Sequence, residues 1–179
     1  RRDLTVIWVL RKVAGQFLSA RVIELAKTPF ATQERILASV LDDPRVRRCC
    51  IDETGLGMHL AENAARRFGH RVETVTLTAA AKEDMAHALR AQMEDLGVRI
   101  PDDASIAASL RGVRKEVTSA GNVRFVGERG GEVDGHCDHF WALALALHAG
   151  LRPRAPFAWA RLPGGRRERS RRPRAGVVL

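Results

Sequence analysis

Apolar positions along this chain follow two patterns in turn: period-two alternation over short β-branched runs, and three-to-four spacing over longer ones. Leu4-Thr5-Val6-Ile7-Trp8-Val9-Leu10 predicts a strand, and after a turn at Gly15 the run from Gln16 to Leu25 predicts its antiparallel return. The period then changes. Thr28-Pro29 predicts a helix N-cap with proline at the first helical position, and Phe30, Gln33, Ile36, Leu37 and Val40 form one apolar stripe as far as Leu41. Asp42-Asp43-Pro44 stops that helix. A strand over 46–51 then delivers Asp52 at its C-terminal end, a helix over 55–68 is closed by Gly69, and 71–77 alternates as a further strand. Thr78 caps a long helix over 80–96, ended by Gly97. A short strand at 98–100, a short helix at 104–110 and a hairpin from 113–118 and 123–126 follow. The last helix runs from Gly135 to about Ala149 behind a Gly-rich loop at 127–131.

A hairpin, then alternating helices and strands, then a late hairpin and a terminal helix predict an α/β fold. The order suits an RNase H-like mixed sheet flanked by helices. At 179 residues the chain reads as one folded domain over 1–150 followed by a tail over 151–179. Charge separates the two. Lys and Arg number 21 against 20 acids over 1–150, but nine against one over 151–179, so the formal +9 belongs to the arginine-rich tail. Such a tail suits phosphate contacts, or else solvated disorder, since scattered Pro, Gly and Arg cannot build a core. No run of about 18 apolar residues predicts a membrane span, and no charged-then-apolar leader opens the chain. It opens on Arg1, almost inside a strand, which reads as a fragment. Three cysteines, Cys49, Cys50 and Cys137, give no disulfide framework. A zinc site joining them to His136 is disfavoured, because adjacent strand residues point to opposite faces.

The chemistry concentrates in two acidic clusters. In Cys49-Cys50-Ile51-Asp52-Glu53-Thr54-Gly55-Leu56-Gly57 a strand ends in acids and glycines; in Asp134-Gly135-His136-Cys137-Asp138-His139 acids lead into an apolar helix. Asp52 at a strand end either caps the next helix or holds a metal. Asp138, heading a helix that must be buried, needs a partner for its charge. Hard carboxylate oxygens suit Mg²⁺ or Mn²⁺, and a pair of such ions can clamp the attacking and leaving oxygens of a phosphodiester. Asp134 is an N-cap or an outer acid, and His136 orients a ligand, meets phosphate or has no role. Glu53 points away in an extended chain and reads as a helix-start charge. His139, about 100° around the helix from Asp138, falls outside the ligand set. Lys82 follows a strand end, where a cation meets a phosphate or is simply solvated. Trp8, Phe140 and Trp141 read as core. Ser-His-Asp and Cys-His catalysis find no support in the spacing.

From Arg2 to Gly150 the chain resembles the nuclease domain of phage terminase large subunits, most closely the type of Mu-like prophages. The resemblance rests on Arg-Asp-Leu-Thr-Val-Ile-Trp-Val-Leu at 2–10, Ile-Asp-Glu-Thr-Gly-Leu-Gly at 51–57, Val-Arg-Ile-Pro-Asp-Asp at 98–103 and Asp-Gly-His-Cys-Asp-His-Phe-Trp-Ala-Leu-Ala-Leu-Ala at 134–146. It implies a metal-dependent endonuclease that cuts concatemeric double-stranded viral DNA during packaging in a bacterial host cytoplasm. Asp52 is then the acid after the central strand and Asp138 the acid at the head of the last helix. In this family the first acid stands on an opening strand just upstream of the Arg-Asp-Leu-Thr segment, so the fragment is expected to lack that strand and one ligand. Asp3 matches a secondary acid in the following turn. The implied partners are an ATPase domain of the same protein, a portal and a small terminase subunit. No Gly-x-x-x-x-Gly-Lys-Ser/Thr occurs, so this chain carries no P-loop. The competing reading is a non-catalytic nucleic-acid-binding or assembly module working through its basic tail.

Overall fold

Strands β1 (Leu4–Val13) and β2 (Gln16–Ala26) pair antiparallel around the turn at Ala14-Gly15, with a register shift between Val9 and Leu10. The structure is a computed structural model that describes residues 4–117, 123–127 and 137–152. Helix α1 (Phe30–Leu41) leads to β3 (Cys49–Asp52), α2 (Met58–Phe68) and β4 (Val72–Val75). Then come α3 (Ala79–Glu94), β5 (Val98–Arg99), α4 (Ala104–Arg111), β6 (Val113–Val117), β7 (Val123–Gly127) and α5 (Asp138–Leu151). Expected and observed elements agree in kind and order, with ends shifted by no more than three residues.

Instead of one continuous sheet there are three ladders: β1-β2-β5, β3-β4 and β6-β7. β3 and β4 run parallel, as do β2 and β5 over a short overlap, while the two hairpins are antiparallel. The pleat nevertheless assigns β1 and β3 to one layer. Val6, Trp8 and Leu10 of β1 and Cys50 of β3 pack against the cluster that holds Met85, Leu89, Leu143 and Leu147. Ile7, Cys49 and Ile51 face the opposite cluster, built on Leu37, Leu41, Ala64 and Val72. Alternate strand residues thus feed two cores, α3, α4 and α5 on one side and α1 and α2 on the other. The same alternation parts Cys49 from Cys50. Burial pushes their thiols up to about 11 and about 12, with Glu73 adding to the shift at Cys50.

Local chemistry explains the helix ends. Thr78 Oγ1 accepts from the Ala81 amide at 3.1 Å, and Asp103 Oδ1 accepts from Ser105 and Ile106 at 2.8 and 3.0 Å. The Thr28-Pro29 expectation fails in detail. Pro29 is itself the cap residue, with ψ of 143°, and Thr28 Oγ1 donates back to the Ala26 carbonyl. Phe30, expected in the apolar stripe, is 54% exposed, and the buried face is Leu37, Ala38, Val40 and Leu41. Gln33 leaves the stripe to accept from Thr5 Oγ1 and donate to the Thr28 carbonyl, stitching α1 to β1.

Glu73 clamps the end of the molecule away from Asp52. Its two carboxylate oxygens accept from Arg48 and Arg152, each at 2.6 Å, joining β4, the approach to β3 and the end of α5. Burial pushes this carboxyl up, but the Arg48 hydrogen bond and the two guanidinium charges together hold it below its ordinary value of 4.5. A depressed folded-state value means that the stabilisation is present above pH 4.5 and lost as pH falls through the folded value. Glu73→Gln should therefore melt below wild type at neutral pH, and the gap should close as pH falls through the folded-state value. A melting deficit that persists below that value would assign the effect to packing.

Candidate active site

Asp52 ends β3 and Asp138 begins α5, so two elements 86 positions apart present the two acids. Both line a single cleft of about 1950 Å³, together with Lys82 from the first turn of α3. One wall is the edge of β1 from Leu4 to Lys12, unpaired among the described residues, and the other is β3 from Cys49 to Asp52. The floor is one face of α5. Asp138, Trp141, Ala142, Leu145, Ala146 and Ala149 recur at three- and four-residue spacing and all line the cleft. Asp138 thus sits at one end of a floor of mostly small apolar side chains. Among the described residues eight lysines and arginines line the cleft against three aspartates, so a body with almost no net charge still offers a polyanion a favourable surface.

Asp52 is held by its own turn. Its Oδ1 accepts from the Thr54 amide at 2.9 Å and the Thr54 hydroxyl at 2.7 Å, leaving Oδ2 outside this local pairing. After Gly55, at φ of +60°, one 3₁₀ turn over Gly55–Gly57 precedes α2, in place of the single helix expected from Gly55. Gly57 is needed for space. A Cβ there would fall far inside contact distance of the Asp52 carbonyl oxygen, a backbone atom that cannot swing aside. Gly57→Ala should therefore displace the Asp52 turn, costing about 1–3 kcal/mol of stability. Thermal melts should show the loss, and an unchanged melting temperature would mean that the turn relaxes without cost.

Glu53 is not the helix-start charge expected of it. It accepts from the Thr76 hydroxyl beyond the end of β4, and that bond, with a second from Thr74, holds its carboxyl below the ordinary value. His139 turns from the cleft into the core, 6% exposed, with Nε2 2.7 Å from Glu24 Oε1 on β2. Trp8 is buried, its indole N–H donating to Ser19 Oγ at 2.9 Å. Phe140 and Trp141 pack edge to face at 4.9 Å beside the larger core. Lys82 Nζ stands 5.2 Å from the Trp141 ring centroid. Asp3, Asp134 and His136 lie outside the described residues, as does the tail from 153 onward.

Two carboxylates with hard oxygens fit one Mg²⁺ or Mn²⁺ ion, which takes one or two protein carboxylates and completes its shell with water and phosphate. They do not by themselves fit a pair of ions. Among the described residues no group of three or more His, Cys, Asp or Glu is placed to share a metal. The sequence had signalled Asp52 and Asp138 but not the residues that shape the Asp52 turn, Thr54 and Gly57, nor the contact of Trp141 with Lys82. Asp-x-Thr and the second glycine of Gly-Leu-Gly were the available signs of the first two.

The family model for the terminase RNase H-like domain matches residues 1–149. No curated protein sequence matches the chain. Among solved structures, the large terminase nuclease of thermophilic phage G20c with bound magnesium is 23% identical, with a TM-score of 0.63, covering 83% of this chain and 82% of that one. The same nuclease with bound cobalt gives 21% and 0.63 over 82% and 81%. The large terminase nuclease domain of Thermus phage P74-26 gives 21% and 0.59 over 80% and 78%. At these identities the likeness establishes the fold, an RNase H-like α/β sheet flanked by helices.

Proposed function

Since the chain belongs to the terminase RNase H-like domain family, we propose that it is the metal-dependent endonuclease domain of a viral DNA-packaging terminase, cutting concatemeric double-stranded DNA in the host cytoplasm. One observation carries this reading: Asp52 and Asp138, 86 positions apart in the sequence, line one cleft whose other charged lining residues, among the described ones, are eight lysines and arginines against one aspartate. Magnesium and cobalt in the G20c nuclease support a divalent ion here. Asp52 and Asp138 would hold it. When bound, such an ion makes water a stronger acid and stabilises charge on phosphate oxygens. The chain's own residues do the rest. Thr54 and Gly57 fix the Asp52 backbone and one carboxylate oxygen, α5 fixes Asp138, and the basic lining draws in the duplex and holds its phosphates.

The reading extends to the shape of the cleft. β1 and β3 belong to one layer, rest on the same helix and leave facing edges unpaired among the described residues. The floor between them includes Ala142, Ala146 and Ala149 beside Trp141 and Leu145. An added strand would pair with both edges and place its side chains between Asp52 and Asp138, which is where the family's first acid is expected. In this reading the ATPase domain, portal and small terminase subunit act as partners of the larger protein. Asp3 stands as a further candidate metal ligand, and Asp134 and His136 as accessory groups.

The test is plasmid cleavage in Mg²⁺ and Mn²⁺ by the 179-residue chain and by a form extended upstream through one acid-bearing strand. The short form should cut weakly or not at all, and the extended form should cut only with metal. Strong cutting by the short form would mean that Asp3 or another acid completes the site. No cutting by either form would favour the non-catalytic module.

A further inference from the structure

We propose that Lys82 contacts the DNA phosphate in this cleft, its ammonium held over the Trp141 ring and, among the described residues, paired with no carboxylate. The proposal rests on the nuclease reading and adds a substrate-binding residue to it. Thr78 caps α3 and Ala79 is its first residue, so Lys82 stands in the first turn. A cation there faces the positive end of the helix dipole, and the helix gains nothing from it. Nor does an ion pair account for it, since none is formed with Lys82 among the described residues. The adjacent acid, Glu83, is taken up by Lys115 at 3.1 Å and His87 at 3.6 Å.

What holds Lys82 is an aromatic face. Its Nζ lies 5.2 Å from the Trp141 centroid, and Trp141 is three residues beyond Asp138 on the same face of α5. A ring quadrupole attracts the ammonium without neutralising it, so the charge and its N–H donors remain available. Arg48 and Arg152, which line the same cleft, are by contrast both spent on Glu73. Lys82 is half-buried, so its position is constrained, and it lines the cleft along with Asp52 and Asp138. A positioned cation in the same cleft as two acids suits an anionic oxygen that arrives with the substrate.

The experiment measures affinity of the 179-residue protein for a short blunt DNA duplex by fluorescence anisotropy, across a salt series in Ca²⁺. Lys82→Met keeps an apolar stem over Trp141 and removes the charge. It should weaken binding of unrelated sequences alike and reduce the slope of log K against log salt by about 0.9, the value of one phosphate contact. Lys82→Arg should restore the slope, and Trp141→Phe, which keeps a ring, should largely preserve it. Lys82→Gln, with its own melting curve, serves as a second neutral variant if Lys82→Met fails to fold. Wild-type binding with an unchanged slope in a folded neutral variant would overturn the Lys82 assignment and leave the nuclease reading standing. Failure of the wild-type protein to bind the duplex at any salt would overturn both.

Discussion

Asp138→Asn should lower metal-dependent DNA cleavage by the upstream-extended protein at least about 100-fold, the scale of removing one preorganised charge-stabilising group. The substitution keeps side-chain size and shape and removes the negative charge. Asp138 is the first residue of α5, where an acid gains about 0.3–1 kcal/mol from the helix dipole, a contribution the asparagine loses. Asp52→Asn should cost a similar factor for a different local reason. An asparagine Oδ1 can still accept from the Thr54 amide and hydroxyl, so the turn that positions residue 52 survives while its charge goes. Nicking of supercoiled plasmid in Mg²⁺ and Mn²⁺, beside thermal melts, measures both effects. Full cleavage by a folded Asp138→Asn protein would remove that residue from the site, and the same result at position 52 would return Asp52 to the role of a turn residue.

Leu143→Ala should produce the largest loss of stability. Leu143 is 0% exposed in the middle of α5, within the cluster that also takes in residues of β1, β3 and α3. Deleting its branched end forfeits transfer free energy and leaves a cavity among side chains that cannot all collapse inward, about 2–5 kcal/mol in total. For a domain of this size that lowers Tm by roughly 4–20 °C. Phe30→Ala is the internal comparison. Phe30 is the larger side chain, yet at 54% exposure it should cost far less. Equal losses at the two positions would mean that Phe30 is covered in solution.

Much of this architecture was legible in the chain because its determinants are local. Alternation in Val6, Trp8 and Leu10 against Ile7 fixed which face of β1 each residue takes, and the same rule parted Cys49 from Cys50. Thr78 and Gly97 bracketed α3 through cap chemistry that involves only near neighbours. Asp52 and Asp138 stood out as acids at the ends of apolar elements, and His139 was placed outside the ligand set by helical spacing alone. Tertiary structure decided everything that required two distant segments to meet. Phe30 belongs to the apolar period of α1, but which arc of a helix is covered depends on where its neighbours lie, and Leu37, Val40 and Leu41 were covered instead. Glu53 was drawn to Thr76 by a parallel pairing with β4 that no local pattern encodes. The division of one layer into the β1-β2-β5 and β3-β4 ladders depends on backbone hydrogen bonds between segments, to which side-chain periodicity is blind. So does the cleft between them, and with it the placing of Lys82 over Trp141 in the cleft that Asp52 and Asp138 also line.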